Sequence, residues 1–390
     1  MPKLDLPCHI YIGNGYLNSL DEFVIENRGS RAFVVMDSFL ANPPINLHYK
    51  VEEILRKGNF ESRFFSDYAG EPTTLHVEAA LEVLKDFKAD CIISIGGGSA
   101  IDLGKAVSLF AINHDLKWTD ITKQPYLNRL PLIAVPTTSG TGSEATKVMV
   151  ITNTETNFKM NPGHPNLIPD TAVLDPKLSI SLPRHLTAYT GLDALTHAIE
   201  AYVSNRATKM TDLYALESIR IIGTALPRIW EDGADNDSRE KMMLASCYAG
   251  IAFSNSSTNL AHAAGRPLGT RFHIQHGLSV SLLLPFVMLF GLEAAKERYA
   301  NIAIALGSDP SLNTDQLANI SLKIIESYNE KFGIWDDGRK YIDVQKLRDS
   351  IPILVDDAMS GNGILTNVRI PTSKDVSAIY EMLAEKLIVQ

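Results

Sequence analysis

Asp193 and His197 lie four residues apart in GLDALTHAIEAYV (191–203), among apolar residues at Leu192, Leu195, Ile199 and Val203. On a helix that spacing puts a carboxylate and an imidazole on one face, one turn apart. Two readings stand: a polar pair that stabilises the helix, or half of a metal site. Downstream, His262 and His276 fall in LAHAAGRPLGTRFHIQHGLSV, where Gly265, Pro267 and Gly269 are expected to break the chain between them. Three imidazoles and one carboxylate, with no thiolate, suit Fe²⁺ or Zn²⁺. One such ion with open coordination positions is a Lewis acid for an alcohol or carbonyl oxygen. His273 competes for the same role, and with ten histidines in the chain spacing alone leaves the ligand set open.

A second constellation is IISIGGGSAIDLGKAV (92–107), where Gly96, Gly97 and Gly98 follow an apolar run and precede a helical one. Glycines let a backbone approach a pyrophosphate closely, and the next helix points free N–H groups and its positive dipole end at it. Ser99 adds a hydroxyl; a mere tight turn is the alternative. GTGSEA (140–145) has the letters of a dinucleotide fingerprint, but the strand-like TKVMVITN follows it where a helix is required. VPTTSGTGSE therefore reads as a hydroxyl-rich loop at a strand end. Asp37 closes the apolar run RAFVVMD, placed either to take ribose hydroxyls and repel a 2′-phosphate or to cap a helix.

These residues need elements to hold them. RAFVVMD, ADCIISIGGG, LPLIAVPTT, KVMVITN and TAVLDP read as strands, with helical periods in LHYKVEEILRKGN and TLHVEAALEVLKDFK between the earlier ones. Continuous apolar strands alternating with helices predict a mostly parallel sheet covered on both faces. Beyond Pro176 and Pro183 the β pattern gives way to helical patterns. The expected organisation is an α/β dinucleotide-binding domain over 1–180 and an all-helical metal-binding domain over 181–390, with a ligand cleft between them. Of 390 residues, 36 are basic and 45 acidic, giving −9, which offers no broad cationic face for nucleic acid or anionic lipid. The N-terminus lacks the secretory pattern, and LSVSLLLPFVMLFGL, interrupted by Pro285, is too short for a membrane span. Cys8, Cys91 and Cys247 are widely spaced, which argues against a disulfide framework and for a reducing cytoplasm.

In GGGSAIDLGKA, PLIAVPTTSGTGSEAT, PDTAVLDPKLSISLP, TGLDALTHAIEAYVS, AGIAFSN, LAHAAGRPLG and HGLSVSLLLP, the chain resembles the iron-containing (group III, metal-dependent) alcohol dehydrogenase family over nearly its whole length. The resemblance implies the dehydroquinate synthase-like fold of an α/β domain followed by an all-α domain. It implies Asp193, His197, His262 and His276 as ligands of one divalent metal, Fe²⁺ or else Zn²⁺. It places Gly97, Gly98 and Ser99 at the pyrophosphate of NAD(H) rather than NADP(H), Thr137 and Thr138 in the hydroxyl loop, and Asp37 at the ribose. Asp102 and Lys159 are implied on the cofactor side and Phe253 on the substrate side. The implied activity is hydride transfer between nicotinamide and a small alcohol or aldehyde, by a cytoplasmic homodimer. The alternative is an NAD- and metal-dependent lyase of the dehydroquinate synthase type, against which LTHAIEAYVS and HGLSVSLLLP stand. A non-catalytic sensor would need a DNA-binding or partner module, and no segment resembles one.

One residue departs from the family pattern HAxxHPLG: this chain reads HAAGRPLG, with Arg266 in the place of the second histidine. An arginine stays charged and cannot shuttle protons near neutrality, so His273 or a chain of waters is expected to take that role. Arginine does bind carboxylates and phosphonates through paired hydrogen bonds. Arg266, with Arg271, Arg184 and His185 nearby, therefore suggests an anionic aldehyde such as phosphonoacetaldehyde or succinic semialdehyde. The other reading of Arg266 is a structural ion pair.

Overall fold

In the computed structural model, which describes residues 3–156 and 158–388, the apolar runs of the N-terminal half become strands. These are β1 (His9–Ile12), β2 (Arg31–Met36), β3 (Glu61–Phe65), β4 (Cys91–Gly96), β5 (Leu132–Pro136), β6 (Ile151–Asn153), β7 (Phe158–Met160) and β8 (Thr171–Leu174). Six form one sheet in the order β1-β8-β5-β4-β2-β3, with every pairing parallel. Along β2, Phe33 and Val35 enter one hydrophobic core while Ala32, Val34 and Met36 enter another. The period of two thus buries both faces, as a sheet covered by helices requires.

The crossover helices include α1 (Leu20–Glu26), α2 (Ser38–Ala41), α3 (Leu47–Lys57), α4 (Thr74–Lys85) and α5 (Gly98–Phe110). The chain runs outward from β2 to β3 and then returns to lay β4 on the other side of β2. Such a switch in strand order opens a crevice at the carboxyl ends of the strands, where α/β sheets bind ligands. Asp37, Gly97 and Thr137 each follow directly from one of the adjacent strands β2, β4 and β5.

Two strands escape the apolar pattern. HIYI and ESRFF lie at the two edges of the sheet and are largely exposed, so they lack the buried run that marks β4. The strand expected over KVMVITN shrinks to β6, which pairs with β7 in a separate antiparallel hairpin. The reason is that α5 takes its backbone: Lys105 donates to the Val148 carbonyl, and the Val150 N–H donates to Asp102.

The chain divides into two compact units, Asp5–Ser181 and a second that begins its continuous run at Leu182. The second is built from α6 (Arg184–Val203), α7 (Lys209–Glu231), α8 (Asn236–Ser256), α9 (Leu260–Phe272), α10 (His276–Gly291) and further helices between Lys296 and Leu387. Helix α6 is buried all round over most of its length, which makes it the central helix of this unit. Gly265, Pro267 and Gly269 do not break the chain, since α9 runs unbroken from Leu260 to Phe272. Gly265 instead lets α10 approach, because a Cβ there would lie 2.7 Å from Val280. Pro285 likewise sits inside α10, so His276–Ala294 is one helical stretch long and apolar enough to cross a membrane. It packs with α6 and α9 in the core of the helical unit, with two-thirds of its apolar window buried.

Candidate metal and dinucleotide sites

Three helices bring the metal-type side chains together. Asp193 comes from the middle of α6, His262 from the first turn of α9, and His276 is the first residue of α10. One donor atom from each lies within 4.8 Å of the others. The His262 Nε2 is 3.4 Å from Asp193 Oδ1, and the His276 Nε2 is 3.7 Å from it. Gly277 makes this approach possible: a Cβ there would stand 2.4 Å from the Tyr189 carbonyl of α6. His197 lies one turn along α6, with Nδ1 3.9 Å from Asp193 Oδ1 and its ring stacked on both Phe253 and His262. It adjoins the cluster formed by the other three.

Asp193 Oδ1 and His262 Nε2 are fully buried and have no hydrogen-bond partner. Orphaned buried polar atoms are rare, and an acceptor pair aimed at one point is the donor set of a cation. Burial alone would raise the Asp193 carboxyl, but the imidazoles of His197, His276 and His262 overcome it and hold the group below the usual carboxylate range. Burial pushes the His262 imidazole down, yet Glu200 and Asp193 together lift it to about 9. The residues fit a divalent ion, which would replace that proton.

Glu200 is the functional neighbour that the sequence reading missed. Its carboxylate accepts from His262 Nδ1 at 2.6 Å and from the Asn259 and Ala261 N–H groups at 2.8 and 2.6 Å. It thereby caps the start of α9 and fixes the imidazole tautomer that leaves Nε2 free to bind metal. Glu200 lies seven residues after Asp193 on the same helical face, the one signal that could have found it. Glu200→Gln should weaken metal affinity about 10–100-fold, as loss of a ligand-orienting carboxylate does. A chelator-competition titration checks this, with an unchanged dissociation constant refuting the role.

Arg266 stands one turn beyond His262 on α9 and is half-buried. Its carbonyl accepts from Thr270 Oγ1, but among the described residues no carboxylate comes within ion-pair distance of its guanidinium. Burial lowers its pKa, and the more distant Glu200 only partly offsets this. The structural ion pair is therefore not formed. The other basic groups are engaged elsewhere: Arg184 stacks on Trp230 at 3.4 Å, and Arg271 donates to Ser350 at 3.2 Å. His273 is exposed in a left-handed turn at the end of α9, outside the metal cluster.

In the α/β unit, Gly97 is the N-cap of α5 and has no side chain to satisfy the first N–H groups of that helix. Gly96 has φ +153°, and a Cβ on it would stand 2.6 Å from Ala100. The Thr137 N–H donates to the Gly96 carbonyl at 2.9 Å, and the Thr138 side chain lies 3.5 Å from the Cβ position of Gly97. Gly97, Gly98, Ser99, Thr137 and Thr138 thus line one glycine cradle with unspent donors, which fits a pyrophosphate. Asp37 caps α2, accepting from the Leu40 N–H at 3.0 Å, while its second oxygen lies 3.3 Å from the Gly96 Cβ position.

Two residues expected on the cofactor side also have partners within the protein. Asp102 is buried and accepts from Ser143 Oγ at 2.6 Å and the Val150 N–H at 2.8 Å. Lys159 on β7 is paired with Glu71. A third group was not anticipated: Lys105, fully buried, donates to Ser143 Oγ, Thr146 Oγ1 and the Val148 carbonyl and lies 3.7 Å from Asp102. It ties the hydroxyl loop after β5 to α5.

Comparison with known proteins covers both units. Residues 7–176 match the family described as "Iron-containing alcohol dehydrogenase", and residues 187–384 match "Fe-containing alcohol dehydrogenase family, C-terminal". The NAD-dependent methanol dehydrogenase of Bacillus methanolicus is 33% identical over 386 residues, 98% of this chain and 99% of that protein. A crystal structure of 1,3-propanediol oxidoreductase superposes with TM-score 0.92 at 30% identity, covering 98% of this chain and 100% of that one. Sulfoacetaldehyde reductase from Bifidobacterium kashiwanohense, solved in complex with NAD⁺, gives 0.86 at 25% identity, covering 98% and 99%.

Proposed function

We propose, for a chain that belongs to the iron-containing alcohol dehydrogenase family, a metal-dependent and NAD(H)-linked interconversion of a small aldehyde and its alcohol. The protein is an oxidoreductase acting on CH–OH groups. The observation that carries the finer reading is the pair of buried, partnerless donors, Asp193 Oδ1 and His262 Nε2.

Asp193, His262 and His276 would hold the ion, with His197 the fourth ligand that the family pattern implies. When bound, the ion supplies Lewis acidity and the dinucleotide supplies hydride. The chain's own residues do the rest. Glu200 keeps His262 in register, and Phe253, stacked on His197, gives the site an apolar wall that excludes water. The N–H groups of Gly98 and Ser99 would hold the pyrophosphate, and the Asp37 carboxylate at the end of β2 would favour NADH over NADPH. Arg266 keeps its proton, and His273 is exposed, so protons reach the site through solvent. No disulfide joins Cys8, Cys91 and Cys247, which supports a reducing, cytoplasmic setting, and a homodimer is the assembly proposed.

The test is aldehyde-dependent oxidation of NADH and NADPH by enzyme loaded with Fe²⁺ or Zn²⁺ and by enzyme stripped with a chelator. The expected result is turnover that requires metal and prefers NADH. A lyase on this scaffold would recycle its dinucleotide and show no net NADH consumption.

A further inference from the structure

Resting on that reading of the site, we propose that Arg266 is the receptor for an oxyanion on the substrate, so that the preferred substrate is a short aldehyde bearing a carboxylate, phosphonate or sulfonate. Three observations carry this.

The first is position. Arg266 follows His262 by four residues on an unbroken helix, so the guanidinium and the metal-facing imidazole leave α9 from the same face.

The second is the missing partner. A guanidinium taken out of water is costly unless it is paired, and proteins almost always pair it. Arg266 is half-buried, yet no described carboxylate reaches it. Other arginines of the helical unit differ: Arg298 has Asp212 at 3.0 Å, Arg184 has the Trp230 ring, and Arg271 has Ser350.

The third is charge balance. A divalent ion held by neutral imidazoles is matched by the carboxylates of Asp193 and Glu200. Arg266 then leaves one positive charge in the site without a counter-charge. An anionic substrate supplies it, and the planar fork of arginine binds two oxygens of such a group at once. A neutral aldehyde would leave the guanidinium unpaired in every complex.

The experiment measures kcat/KM with NADH for propanal, succinic semialdehyde, sulfoacetaldehyde and phosphonoacetaldehyde, using wild type, Arg266→Gln and Arg266→Lys. Wild type should prefer the best anionic aldehyde over propanal by at least about tenfold. Arg266→Gln should lose about 10–150-fold on that aldehyde and little on propanal, the scale of one charge-assisted contact. Metal content and KM for NADH should not move, and Arg266→Lys should recover part of the loss. Equal losses on neutral and anionic aldehydes would overturn the proposal and leave the dehydrogenase reading standing. A rise confined to the KM for NADH would also overturn it, by assigning the guanidinium to the dinucleotide. Calorimetric binding of 4-hydroxybutyrate and 2-hydroxyethylphosphonate gives a readout without turnover. If no aldehyde oxidises NADH but these anions bind in an Arg266-dependent way, the catalytic reading fails and the anion site stands. Arg266-independent binding, or none, contradicts the anion site directly.

Discussion

His276→Ala should yield a folded protein that still binds NADH, holds no tightly bound metal, and turns over aldehyde about a thousandfold more slowly. The magnitude follows from the several kcal/mol that a Lewis acid contributes at a carbonyl oxygen. His276 is the most exposed of the three clustered residues and sits at the first position of its helix, so its removal leaves little strain behind. Asp193 and His262, by contrast, are almost wholly buried, and truncating either would leave its partner's charge without compensation. The glycine cradle belongs to the other structural unit, so dinucleotide affinity is the internal control. Metal analysis and NADH fluorescence titration on one preparation check both halves. A His276→Ala enzyme with full metal content and full activity would show that another residue completes the site.

The second large effect is expected at Lys105. Burial pulls its pKa down to about 8, against the opposing pull of Asp102 and Glu144. At neutral pH it still carries its proton and satisfies three acceptors on the segment 143–148. Lys105→Met leaves those acceptors without a donor and Asp102 buried without its cation, a loss of about 3–5 kcal/mol for one half of a buried pair. Because that segment continues the hydroxyl loop beside the glycine cradle, NADH affinity should fall together with stability. The pH dependence has a definite sign. Burial already raises the Asp102 carboxyl, and losing Lys105 raises it further, so Asp102 takes up a proton as pH falls. The stability gap between wild type and variant should therefore narrow as pH falls, because protonation relieves the stranded Asp102 charge in the variant. Urea titrations at pH 5.5 and pH 8 measure it. Adding Asp102→Asn to Lys105→Met should recover part of the loss, since it removes the stranded charge. A gap that stays constant with pH, or a strictly additive double variant, would mean that the ammonium does not compensate Asp102.

Much of this was legible in the residues, and what was not has local causes. β4 and β2 announce themselves because both faces are buried and all positions but Arg31 and Ser94 are apolar or glycine. β1 and β3 do not, because edge strands are paired on one side only and their residues are mostly exposed or half-buried rather than a continuous buried run. The prolines misled for a different reason. Pro267 and Pro285 sit in helices held by packing on several sides, where tertiary contacts outweigh the lost hydrogen bond. In the metal cluster, residue type and spacing nominated Asp193, His197, His262 and His276 with His273 in competition, and the family resemblance chose among them, whereas Glu200 looked like one more acidic residue on a helix. Its role depends on where α9 begins, which no local spacing encodes. Asp102 and Lys159 follow the same logic: their partners within the protein are distant in sequence, so no local spacing announces them. Asp37 shows that two readings of one residue are compatible, since one carboxylate oxygen caps α2 while the other lies beside Gly96.

The most direct measurement is anomalous diffraction at the metal absorption edge from crystals of protein loaded with Fe²⁺ or Zn²⁺. A single strong peak is expected, at about 2.0–2.2 Å from Asp193 Oδ1 and from the Nε2 atoms of His262 and His276. A catalytically active crystal with no peak at that point, or with its peak at another site, would contradict the account.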